Sequence, residues 1–149
     1  MKVIHSKKQL VKINIMNKEH PNIKILKRFN PADPNTLTEV LAEDFVWHYI
    51  NPKLSELEGD YFGLSGLTDF FQKLAGRTNG SFKVNPISIT PLGDELIITH
   101  VKDTLSLEGK PMQIDAIVVW CIIDGQIKEA WDIPIVHTAK MIKTEKEKL

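Results

Sequence analysis

The residues of this 149-residue chain that could do chemistry are few, and they narrow the chemistry to proton transfer. His5, His20, His48, His100 and His137 share no short ligand spacing and Cys121 stands alone, so no metal site is expected. No Gly-rich phosphate loop and no Gly-x-Ser-x-Gly elbow occurs, and no cofactor is expected. His48 interrupts the apolar run from Phe45 to Ile50, and His100 interrupts Leu96 to Val101 in the same way. Imidazole is the side chain best suited to move a proton near neutral pH, although a lone histidine on an apolar strand also reads as a core residue satisfied by hydrogen bonds. Asp115 precedes the apolar core, from Ala116 onward, of the segment Met112 to Ile123 on the parity read as inward, and with Tyr61, His48 and His100 it completes a candidate polar ring. Trp47, Trp120 and Trp131 can line a ligand site, or serve as core or interface; Trp120 and Trp131, read as outward, suit an interface.

The elements that must position these residues follow from pattern. Ile23, Leu26 and Phe29 have helical spacing, ended by the two prolines of Asn30-Pro31-Ala32-Asp33-Pro34. Thr36 with Glu39 forms a capping box for a second helix to about Ala42, and Phe45 to Ile50, β-branched and aromatic, predicts a strand. Lys53 to Gly63 is a polar loop able to cover a pocket mouth. Ser65 caps a further helix whose Leu67, Phe70, Phe71 and Leu74 make one apolar stripe, stopped by Gly76 and Asn79-Gly80. From Ser81 the chain reads as four strands, Phe82 to Ile89, Leu96 to Leu107, Met112 to Ile123 and Gln126 to Ile135, joined by hairpin turns. Helices followed by a meander predict an α+β domain with an apolar pocket between helices and sheet. The central strand is apolar on both parities from Ala116 onward, so both sheet faces should be covered, one by helices and the other by a second subunit, giving a homodimer through the outer face.

Composition sets the remaining bounds. The hydrophobic content of 42% suffices for one core without disulfide staples, and the formal charge of zero provides no field to attract nucleic acid. Residues 1–28 hold eight Lys or Arg against Glu19 alone, a basic arm expected to be a solvated, partly ordered segment; Met16 offers an alternative translation start that would exclude residues 1–15 from the native protein. No apolar stretch is long enough for a spanning helix, no signal-peptide h-region is seen, and Cys121 has no disulfide partner, which together predict a cytoplasmic protein without a membrane partner. The organisation expected is a basic extension over 1–20, one domain over 21–137 and a charged tail of frayed helix or disorder over 138–149.

Three segments carry a family resemblance: Leu41-Ala42-Glu43-Asp44-Phe45-Val46-Trp47-His48, Gly59-Asp60-Tyr61-Phe62-Gly63-Leu64 leading into Phe70-Phe71, and Asp124-Gly125-Gln126-Ile127 through Glu129-Ala130-Trp131-Asp132. In their order the chain resembles the SnoaL-like, polyketide cyclase-like branch of the nuclear transport factor 2-like superfamily, which also holds ketosteroid isomerases, limonene epoxide hydrolases and scytalone dehydratases. The resemblance implies a cone-shaped, mostly antiparallel curved sheet packed against N-terminal helices. It also implies that Ala130, Asp132 and Pro134 point into the cone and Glu129 and Trp131 out, with Asp132 placed like the catalytic aspartate of the polyketide cyclase group and His48 near the pocket. Ketosteroid isomerases use an aspartate base, a tyrosine and a protonated aspartate; the matching places here hold His48 and Asn51, Phe29, and Ile117 or Val119. The Asp-Arg-Asp relay of limonene epoxide hydrolases is unmatched too, since Arg28 and Arg77 lie off the strands that would carry it. Two functions stay open. One is a cofactor-independent cyclase or isomerase moving a proton on an apolar carbonyl compound, with Asp132 and His48 as acid and base; the other is a non-catalytic binder or dimeric accessory domain holding an apolar small molecule.

Overall fold

The computed structural model describes residues 20–142; the basic arm before His20 and the charged residues after Ile142 lie outside the described residues. Three helices and seven strands follow in the order α1 (Pro21–Lys27), α2 (Pro34–Val40), β1 (Leu41–Tyr49), β2 (Gly59–Phe62), α3 (Gly63–Thr78), β3 (Lys83–Leu92), β4 (Leu96–Leu107), β5 (Lys110–Ile123), β6 (Gln126–Pro134) and β7 (Lys140–Met141), with a 3-10 turn at Val136–Thr138. The sheet runs β2-β1-β6-β5-β4-β3, with β7 on β5, and remains open and curved. Every pairing is antiparallel except β1 with β6. The architecture is the α+β one expected, with helices packed on the sheet's inner face.

Local chemistry shifts several boundaries. Pro34 opens α2 at its first position instead of only closing the preceding turn, and Asp33, not Thr36, is its cap: the Asp33 carboxylate accepts from the backbone N–H of Asn35 and Thr36 and from the Thr36 hydroxyl at 2.6 Å. Helix α3 starts at Gly63 without a side-chain cap, runs through Gly76, and ends where Asn79 turns left-handed at φ 55°. The loop after β1 contains the short strand β2. Hairpin turns at Glu108-Gly109 and Asp124-Gly125 place both residues at positive φ, which matches the twist of the strands they join. Past Thr138, Lys140–Met141 pairs with the Met112–Gln113 end of β5, so ordered structure extends into the segment expected to be a frayed tail.

The core lies between α3 and the inner sheet face. Leu67, Phe70 and Leu74 of the predicted stripe are buried there, and Trp47 sits among Phe45, Phe70, Phe71 and Trp120, its ring 5.6 Å from that of Trp120 and 5.7 Å from that of Phe70. Buried Asn22 locks α1 across the sheet end, its amide donating to the Asp94 carbonyl at 2.7 Å and the Ile122 carbonyl at 3.1 Å. Trp120 therefore points inward, opposite to the sequence reading, with its indole N–H donating to Thr99 at 3.0 Å. Trp131 points outward.

Candidate functional site

Register decides which candidate residues meet. Across the sheet Tyr49 lies beside Asp132, and Asp132 beside Val118, so all three share the inner face with the core. On β4 the inner face is carried by Ile97, Thr99, Val101, Asp103 and Leu105. The two aspartates line one chamber of 230 Å³ whose other walls include Trp47, Phe71, Val118 and Trp120. A second chamber of 460 Å³ adjoins it, lined by Tyr49, Leu105, Met112 and Pro134 among others; Leu74, Phe82 and Asp103 belong to both walls.

The electrostatics of this cavity run in one direction. Burial pushes the Asp103 carboxyl up to about 7, with the Asp115 charge adding to it. Burial, and then the neighbouring Asp103, hold Asp132 well above the ordinary carboxylate range. Burial likewise keeps the Tyr49 phenol protonated; its oxygen accepts a hydrogen bond from Asn51 at 3.0 Å and its own proton remains available. Asp103 Oδ1 is buried without a hydrogen-bond partner among the described residues, as is Trp47 Nε1. The arrangement is a polar trio of two carboxyls and a phenol in an apolar cavity, able to hold protons that ordinary carboxylates release.

The other candidates fall elsewhere. His48 shares β1 with Trp47 but has the opposite parity, so it lies on the outer face, away from Asp132. There its Nδ1 donates to Asp60 at 2.6 Å and its Nε2 to Glu129, while the ring stacks on Trp131 at 5.5 Å. Donation from both nitrogens demands the imidazolium form; burial opposes that charge, but the hydrogen bonds and charges of the two acids outweigh it and raise the pKa. The acid-base pairing of His48 with Asp132 is thus corrected by strand parity. His100 and Asp115 also lie on the outer face, contrary to the inward parity assigned to Asp115, with His100 Nε2 3.8 Å from the Asp115 carboxylate and Lys102 4.0 Å from it. Tyr61 points inward beside Trp47 yet donates to the Leu57 carbonyl at 2.6 Å and packs edge-on against Phe70, outside the lining of either chamber. No ring of His48, His100, Asp115 and Tyr61 forms.

Asp103 and Tyr49 escaped the sequence reading. The signal for Asp103 is that it is the one charged residue on the parity Ile97, Thr99, Val101, Leu105, whereas His100 falls on the polar parity with Lys102 and Ser106.

An open curved sheet with helices on its inner face and a two-chambered cavity beneath them defines a small α+β pocket domain. The same fold is found in an NTF2-like protein from Burkholderia pseudomallei (16% identity, 78% of this chain and 92% of that one, TM-score 0.68), in IdmH, a putative polyketide cyclase from Streptomyces antibioticus (20% identity, 80% and 95%, TM-score 0.62), and in TerC co-crystallised with polyporic acid (18% identity, 78% and 93%, TM-score 0.68). The model of the SnoaL-like domain matches residues 24–130, and the chain belongs to that family. Comparison with curated protein sequences finds no match. No helix among the described residues is long and apolar enough to cross a membrane.

Proposed function

We propose that this chain binds an apolar carbonyl compound in the inner cavity and moves a proton on it without a cofactor, in the manner of a cyclase or isomerase. The observation that carries the reading is the pair Asp103 and Asp132, two carboxyls desolvated in one chamber, one with an unpartnered oxygen. Their roles follow from environment. Asp103, poised at about 7, is half ionised at neutral pH and serves as the base that takes a proton from the carbon beside the carbonyl. Asp132, kept protonated, donates to the carbonyl oxygen as charge develops there, with the Tyr49 hydroxyl as a second donor. The product of that step is an enol, and proton return at another carbon, or attack of the enol on a second carbonyl, completes an isomerisation or a cyclisation. The family and the putative cyclase among its structural relatives support this direction.

Exchange of the α-protons of 2-tetralone in heavy water, followed by proton NMR, tests the proposal. Acceleration by the protein that is lost in Asp103→Asn, with folding retained, is the expected outcome. Binding of the ketone without faster exchange would leave the second reading, a binder that holds an apolar molecule without acting on it.

The outer face supports a homodimer in the same proposal. Ile98, Val119 and Trp131 are register neighbours there, as are Ile117 and Ile133, and all are half-buried rather than covered. Cys121, a free thiol on that face, fits a cytoplasmic location.

A further inference from the structure

We infer that the molecule taken by this cavity carries an anionic group at one end, held at the cavity mouth by Lys53 and Lys110. The inference rests on the reading of the inner cavity as the ligand site and names the class of its ligand. Three cationic side chains line the larger chamber, Lys53 from the loop after β1, Arg77 from the last turn of α3 and Lys110 from the start of β5, against the acids Glu108 and Asp103. Arg77 is committed, with its Nε 2.7 Å from Glu56 and its Nη2 4.0 Å from Glu108. Lys53 and Lys110 have no ion-pair partner among the described residues. Acids outnumber bases over residues 20–142, so a cationic mouth is not a consequence of composition.

The cavity is polarised along its length. One chamber is aromatic and holds both carboxyls; the other, joined to it at Asp103, carries the exposed Lys53 and Lys110, with Glu108 set toward Arg77. An anion placed deep would give up its hydration in a largely apolar chamber and meet the Asp103 carboxylate, where like charges repel strongly. The same anion at the mouth meets two lysines instead. Only one orientation satisfies both constraints, with the apolar ring inward and the charge outward, and it sets the middle of the molecule beside Asp103. The ligand class is therefore an elongated apolar acid, a carboxylate or a comparably acidic group on a hydrophobic body.

Two fluorescent probes with the same aromatic body separate charge from apolar burial: 1-anilinonaphthalene-8-sulfonate, which is anionic, and N-phenyl-1-naphthylamine, which is neutral. The protein should bind the sulfonate about ten-fold more tightly, the sum expected from two exposed ion contacts. The double variant Lys53→Gln/Lys110→Gln should lose that preference and keep its affinity for the neutral probe. Binding of the neutral probe with no preference for the sulfonate, or a preference that survives the double substitution, overturns the inference and leaves the cavity reading intact. Binding of neither probe removes the cavity reading and the inference together.

Discussion

At Asp103 desolvation outweighs every compensating contact: the residue is 6% exposed, it makes no ion pair among the described residues, and one oxygen is unpartnered. Its folded pKa, about 7, lies above the unfolded value near 3.8, so its contribution to stability is fully present below pH 3.8 and is lost as pH rises toward 7. Asp103→Asn removes that loss. The variant should melt higher than the native protein at pH 8, by up to about 4 kcal/mol in stability, with the difference shrinking toward zero at pH 4, as calorimetry at the two pH values will show. Single residues were unevenly legible. Family resemblance marks Asp132, whereas the parity of β4 alone marks Asp103. His48 misled because imidazole in an apolar strand draws attention regardless of the face it occupies, and the acids that hold it come from two other strands, Asp60 on β2 and Glu129 on β6.

Between elements, two contacts carry consequences. Gly66 lies inside α3, where alanine ordinarily favours a helix by about 1 kcal/mol, but a Cβ there would stand 2.9 Å from the Tyr61 backbone carbonyl carbon. Gly66→Ala should therefore lower the melting temperature, because β2 and α3 approach each other too closely for a methyl group. The His48 imidazolium ties β2, β1 and β6 together on the outer face. Its folded pKa is raised above 6.5, so the stability it contributes is fully present below that value and disappears as pH rises through the folded pKa. With Asp60 56% and Glu129 38% exposed, solvent screening limits the effect: His48→Gln should cost roughly 1 kcal/mol at pH 6 and little at pH 9 in urea unfolding. The elements themselves were largely readable from period and turn residues, and the span Leu96–Leu107 matched throughout. The parallel pairing of β1 with β6 was not, since it joins segments about eighty residues apart through backbone hydrogen bonds that leave no mark in side-chain pattern.

For the whole molecule, the doubly apolar β5 is the feature that reaches furthest from sequence to assembly. If the outer row of Ile98, Val119 and Trp131 is an interface, Val119→Lys should convert a dimer to a monomer in light scattering while leaving the inner cavity intact. The overall arrangement of helices under an open curved sheet was legible because helical and strand periods do not overlap along this chain. The contents of the cavity were less so, because they depend on which residues of six strands, β1 and β3 to β7, converge with α3. Two carboxyls inside that cavity should hold their protons to unusually high pH. Carbon-13 NMR of the protein labelled at its aspartate carboxyls, titrated with and without Asp103→Asn and Asp132→Asn for assignment, measures this directly. An Asp103 midpoint near 7 and an Asp132 midpoint well above the ordinary carboxylate range are expected; midpoints for both near 4 would overturn the proton-transfer reading of the cavity.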